Sequence, residues 1–226
     1  MEQLALISDS RWKEVARVFK EDYKFGSFSW GLERKIGSWN PDWLYSDLPS
    51  EVRDEWLFRY IVAGVLCAHE RLVHVEYAMA LLDSRFKDFH EFARGQLEVI
   101  EHTLYRSFIQ RQDVKAQWVL EIAKRFSQGF RPLTQKALLT LPGVGEHTAE
   151  VVLATCLGAN YFGVDTHVTR ITQRLNLSVR EIREAEFSDR GHISNAFTQF
   201  GRETCTYANP RCHQCRLAHI CPSRRR

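Results

Sequence analysis

The chain has 226 residues, 44% of them hydrophobic and 12% aromatic, and carries a formal net charge of +3. That length allows one sizeable core or two smaller lobes, and the composition excludes intrinsic disorder, which needs low hydrophobicity and high net charge. There is no apolar run long enough to span a bilayer, no low-complexity tract and no repeat of fixed period. The opening MEQLALISDSRWKEV lacks the cationic and apolar regions of a secretory signal, so a cytosolic or nucleoid location is expected. The charge is unevenly spread: Arg202, Arg211, Arg216, Arg224, Arg225 and Arg226 are balanced near the C-terminus only by Glu203.

Apolar residues recur with helical spacing and hardly alternate as they would in a strand. Trp12, Val15, Ala16 and Phe19 stand at i, i+3, i+4 and i+7 and predict a first helix. From Phe25 to Asp47 the chain is broken by FGSFSWG and NPDW, and an ordered connection pinned by Trp30, Trp39 and Trp43 is expected. Leu57, Tyr60, Ile61, Gly64 and Val65 resume the helical pattern. So do Val119, Ile122, Ala123 and Phe126, and then Ala149, Val152, Leu153 and Cys156. LPS at 48–50, QGFRP at 128–132 and ANPR at 208–211 separate these segments, and the whole reads as all-α.

LPGVGEHTAE, residues 141–150, puts a proline and two glycines directly before a helix that Gly158 is placed to end. A glycine turn can adopt positive φ and carries no Cβ, so successive N–H groups can face one concavity beside the positive end of a helix dipole. Such donors suit a phosphate oxygen, and a nucleic-acid backbone is the expected ligand. A tight turn between helices with no ligand is the alternative that GVG alone leaves open. Downstream, in FGVDTHVTRITQRL, Asp165 falls at an N-cap ahead of the apolar face of Val168, Ile171 and Leu175. Cys205, Cys212, Cys215 and Cys221 follow in the order C-x6-C-x2-C-x5-C, a thiolate cluster whose spacing fits either zinc or a [4Fe–4S] centre. Cys67 and Cys156 stand alone on apolar helices and are expected in the core.

Taken together, LPGVG followed by TA, VDTH and the six-two-five cysteine order resemble the endonuclease III family of DNA glycosylases and its adenine-glycosylase relatives. The resemblance runs from about Leu57 to Cys221 and is strongest over residues 138–175 and 205–221. It implies a two-lobed helix-hairpin-helix fold. Residues 1–48 would contribute to a cluster lobe, 49–158 would form a six-helix lobe ending in the hairpin, and 159–226 would carry the catalytic aspartate and cysteines. Double-stranded DNA with a damaged or mismatched base would lie across the cleft, its target nucleotide flipped out. A monomer with no membrane attachment is expected.

The resemblance also assigns roles. Leu141, Gly143, Val144, Gly145 and Thr148 would grip one strand's backbone without base specificity, with Lys115 of the KA pair and Arg211 as further phosphate contacts. Asp165 would be the catalytic carboxylate, stabilising the positive charge that builds on C1′–O4′ as the base departs. The four cysteines would hold a [4Fe–4S] cluster.

Strand-cutting members of the family carry a lysine where this chain has His147, and imidazole makes no stable imine. Monofunctional excision is therefore expected, with His147 holding or deprotonating the attacking water, lining the pocket or bonding a phosphate. The place of the acid used by the adenine-excising branch holds Val65. LCAHERLVHVEY and FIQRQDVKA also depart from the family pattern, and His69, Glu70, Gln110 and Arg111 are candidates for a base pocket or wedge. Two readings compete with this one: a lyase using another amine such as Lys115, and a non-catalytic DNA-lesion-binding protein.

Overall fold

The computed structural model describes residues 2–22, 45–159, 161–184 and 190–225; the connection carrying Trp30, Trp39 and Trp43 lies outside the described residues. Eleven α-helices and two short 3-10 helices are present among them, and no strand. The α-helices are α1 (Glu2–Asp22), α2 (Ser50–Leu66), α3 (Leu72–Arg85), α4 (Phe89–Arg94), α5 (Leu97–Arg106), α6 (Gln112–Ser127), α7 (Gln135–Leu138), α8 (Glu146–Leu157), α9 (Thr166–Leu175), α10 (Val179–Glu184) and α11 (Arg190–Glu203). None of the described helices is long and apolar enough to cross a membrane. The all-α reading holds.

The chain divides into two units, Gly26–Leu157 and Met1–Phe25 with Gly158–Arg226. In the first, α2, α4 and α6 meet through a ring cluster in which Phe58 lies edge-on to Phe92 at 5.2 Å and to Phe126 at 5.5 Å. Full burial of each such side chain contributes about 1.5–3 kcal/mol. The helix ends follow their capping residues. Asp88 accepts from Glu91 N–H at 2.9 Å while the Glu91 carboxylate accepts from Lys87 N–H at 2.8 Å, and Thr134 accepts from Ala137 N–H. Gly129 and Gly158 close α6 and α8 at φ 88° and 62°. Val65 is fully buried, as is Cys156, while Cys67 is half-buried at the end of α2.

In the second unit, Trp12, Val15 and Phe19 of α1 pack against Val168, Ile171 and Leu175 of α9 and Phe197 and Phe200 of α11. Phe19 meets Phe197 edge-on at 4.8 Å. This packing fixes the face of α9 at whose N-terminus Asp165 sits.

Candidate functional site

Asp165 is the N-cap of α9, and both of its carboxylate oxygens accept hydrogen bonds. Val168 N–H donates to Oδ1 at 2.7 Å, and the Thr198 hydroxyl, from α11, donates to Oδ2 at 2.9 Å. The preceding loop is held as well, since the buried Ser194 hydroxyl donates to Gly163 O at 2.9 Å. The half-buried side chain is thus a cap and is also aimed by a neighbouring helix. Two residues on, the His167 imidazole is kept below its usual range, by burial first, with Arg170 and Arg202 adding to the effect and Asp165 opposing it. Arg170 Nη2 donates to His167 Nδ1 at 2.9 Å, which leaves the proton on Nε2 of a neutral ring. Neither Thr198 nor His167 was legible as a site residue in the sequence.

The four cysteines line one cavity, together with Ile171, Arg174 and Leu217. Burial, ahead of the neighbouring thiols, pushes the Cys215 thiol up to about 11, and the same two causes raise Cys221. Arg174 Nη1 donates to Cys205 Sγ at 3.2 Å and to Thr206 O at 2.7 Å, and its Nη2 to Tyr207 O at 2.8 Å. Arg170 Nε adds a bond to Cys205 O at 3.1 Å. Among the described residues no three His, Cys, Asp or Glu side chains stand at a spacing suited to a single metal ion. Arg211 is exposed at the start of the 3-10 turn Cys212–Gln214. Arg216, though exposed, pairs with Glu21 at 2.6 Å and with Asp22.

In the other unit, Gly143 has φ 75°, and a Cβ there would lie 2.4 Å from the Trp118 ring. The turn is therefore glycine by backbone and by packing. Gly145 differs: its φ is not left-handed, and a Cβ would meet nothing within 4 Å. Its carbonyl accepts from Ala149 N–H at 2.9 Å and starts α8, whose first N–H groups have no intrahelical acceptor. Leu141 and Val144 are buried, and their N–H groups donate to Leu138 O and Leu141 O within the turn. Thr148 turns its methyl toward Gly64 of α2, where an added Cβ would come within 2.8 Å, while His147 is exposed.

The phosphate contact expected of Lys115 is not what the structure shows. Lys115 is 3% exposed, and its Nζ donates to Leu66 O, Ala68 O and Glu70 Oε1 at 3.1, 2.9 and 3.1 Å. Three acceptors inside the unit hold the ammonium away from any outside anion. Glu70, a candidate pocket residue, is buried with it, whereas His69, Gln110 and Arg111 are exposed.

An all-helical chain with a glycine hairpin, a capped aspartate and four cysteines around one cavity has the fold of the helix-hairpin-helix DNA glycosylases. Endonuclease III of Thermotoga maritima is 32% identical over 181 residues, 75% of this chain and 84% of the relative. A structure of a trapped endonuclease III–DNA covalent intermediate superposes with a TM-score of 0.63 at 27% identity, covering 74% of this chain and 84% of that one. A thermostable thymine-DNA glycosylase shares the fold over 95% and 96% of the two chains, with a TM-score of 0.66 at 18% identity. No protein-family model matches the chain. The protein belongs to the endonuclease III family.

Proposed function

We propose that the protein is a monofunctional DNA glycosylase of base excision repair, hydrolysing the N-glycosidic bond of a flipped damaged or mismatched base. The observation that carries this reading is the doubly bonded Asp165 carboxylate, oriented through Val168 N–H and the Thr198 hydroxyl. As the base leaves with the bonding electrons, positive charge spreads over C1′ and O4′, and a fixed negative side chain stabilises it. Water then adds its oxygen to C1′ and a proton goes to the departing base. His147, exposed at the first turn of α8, holds or deprotonates that water in place of the amine that makes an imine. The burial of Lys115 behind three acceptors supports hydrolysis over a lyase route through that amine.

The hairpin from Leu141 to Thr148 binds a strand through the open N–H groups of α8, and the exposed Arg211 adds a phosphate contact. Cys205, Cys212, Cys215 and Cys221 would hold a [4Fe–4S] cluster; a cavity that all four line fits a group larger than one ion. When bound, the cluster supplies a rigid fourfold cross-link of the loop. Double-stranded DNA with an altered base is the substrate, and the protein acts as a monomer.

A panel of duplexes, each with one altered base or mismatch, tests the reading. Cleavage that appears only after hot alkali is expected for at least one member, and Asp165→Asn is expected to cut its rate by ~10²–10³ while sparing duplex affinity. Cleavage without alkali would establish a lyase, and binding without either would leave a lesion reader.

A further inference from the structure

Lys115 is a cation in a position built for a core residue. It stands in α6 beside the fully buried Ala116, and two of its three acceptors, Leu66 O and Ala68 O, are carbonyls at the C-terminal end of α2. Those carbonyls have no intrahelical partner and mark the negative end of the helix dipole. The third acceptor, Glu70, has a side chain 3% exposed, and its Oε1 also accepts from Gln110 N–H at 2.5 Å. One buried ion pair therefore joins the end of α2, the loop of residues 67–71 and the loop of residues 107–111.

The same two loops contain three non-glycine residues with left-handed backbone: His69 at φ 60°, Phe108 at 61° and Arg111 at 52°. For a bulky residue that conformation persists only where its surroundings over-determine it, and such residues cluster at functional sites. What the loops present is unusual for a soluble surface. Phe108 is 67% exposed, its ring 5.7 Å from that of His74, and His69, Gln110 and Arg111 are exposed in the same two loops. An aromatic face and a guanidinium held outward suit stacking on a base and contact with its phosphate.

We infer that the buried Lys115–Glu70 pair is a positioning clamp, which locks the 67–71 and 107–111 loops into one platform that presents Phe108 and Arg111 to a duplex. The inference rests on the glycosylase reading above for its consequence in excision, though not for the clamp itself. Removing either partner leaves the other as an uncompensated buried charge. The two loops then lose order together.

Backbone hydrogen exchange on the 226-residue protein as purified tests the clamp. Lys115→Met and Glu70→Ala are expected to speed exchange at least ~10-fold in residues 67–71 and 107–111 alike, with the hairpin unchanged. Glu70→Gln keeps the Oε1 acceptor but leaves the ammonium without its counter-charge, so exchange in both loops is expected to rise by less than in Glu70→Ala. Added undamaged duplex is expected to slow exchange in both loops of the parent chain. On the lesion duplex, single-turnover excision is expected to fall ~10²-fold in the first two variants at nearly unchanged affinity, and to fall by less in Glu70→Gln. The clamp is overturned if exchange rises in one loop only, if neither changes, if duplex leaves both loops unprotected, or if excision falls only in step with affinity. Should Lys115→Met not fold, Glu70→Ala decides. A parent chain that excised no base would sink the glycosylase reading, while the exchange and duplex footprint would still judge the clamp.

Discussion

In the unit Gly26–Leu157, Phe58, Phe92 and Phe126 interlock in a core where Leu104, Val119 and Ile122 are fully buried. Beyond Glu203 in the other unit, Leu217 is the single fully buried side chain among residues 204–225. That stretch is held instead by Arg170 and Arg174 of α9, which donate to Cys205, Thr206 and Tyr207 carbonyls, and by Arg225, which donates to Ala208 O at 2.9 Å. Hydrogen bonds of this kind contribute only about 0.5–1.5 kcal/mol each, too little to offset the ordering of so many residues. Apolar packing runs through the first unit, whereas in the other it gathers on α1, α9 and α11 and reaches the cysteine-bearing stretch chiefly through Leu217.

The largest effect should come from breaking the cross-link through the four thiols. Cys215→Ser is expected to purify without iron or sulfide and to lose the urea transition of the cysteine-bearing unit, while the helical unit unfolds as before. Leu104→Ala makes the opposite cut: it should lower the stability of the helical unit by about 2–5 kcal/mol and leave iron content intact. A Cys215→Ser protein with both transitions unchanged would show that the apolar core and the polar bonds suffice without a thiol cross-link.

A second, smaller contrast lies within the hairpin. Gly143→Ala forces a Cβ to 2.4 Å from Trp118 at a positive φ, so a loss of about 1–3 kcal/mol is expected. Gly145→Ala meets only open space at an ordinary φ and should change stability by less than about 0.5 kcal/mol. Weaker duplex binding in Gly145→Ala at an unchanged unfolding midpoint would therefore report a ligand that approaches its backbone. Equal affinity in the two proteins would reduce Gly145 to a helix start.

Much of this was legible from the chain because it is local. The helical spacing of Trp12 to Phe19 and Val168 to Leu175, the cap at Asp165 and the stop at Gly158 depend on neighbours a few positions away. What escaped depends on partners far along the sequence. The charge of Lys115 is visible in the sequence, but its burial comes from Leu66, Ala68 and Glu70, between 45 and 49 positions upstream. Arg216 likewise meets Glu21 and Asp22 across 195 and 194 positions, and Thr198 reaches Asp165 across 33. Neither periodicity nor a motif encodes such pairings, because each is set by how helices pack. The need for glycine at position 143 was visible as a turn, yet half of it comes from the Trp118 ring.

The smallest expected effect concerns acid, and it falls on the cysteine-bearing unit. Burial holds His167 below its ordinary 6.5, against the pull of Asp165, and Arg170 occupies Nδ1. The folded chain therefore binds fewer protons here than the unfolded chain once the pH drops below about 6.5, and unfolding gains a proton. The stabilising contribution is whole above that pH and is lost as acidity rises through the lower, folded value. Urea midpoints of this unit measured from pH 7.5 down to pH 5 should fall, and His167→Gln should flatten part of that fall without altering the helical unit. The side chain is only half-buried, so solvent screening keeps the change small. A midpoint that rose on acidification would require a protonated ring, and Arg170 could then no longer donate to Nδ1.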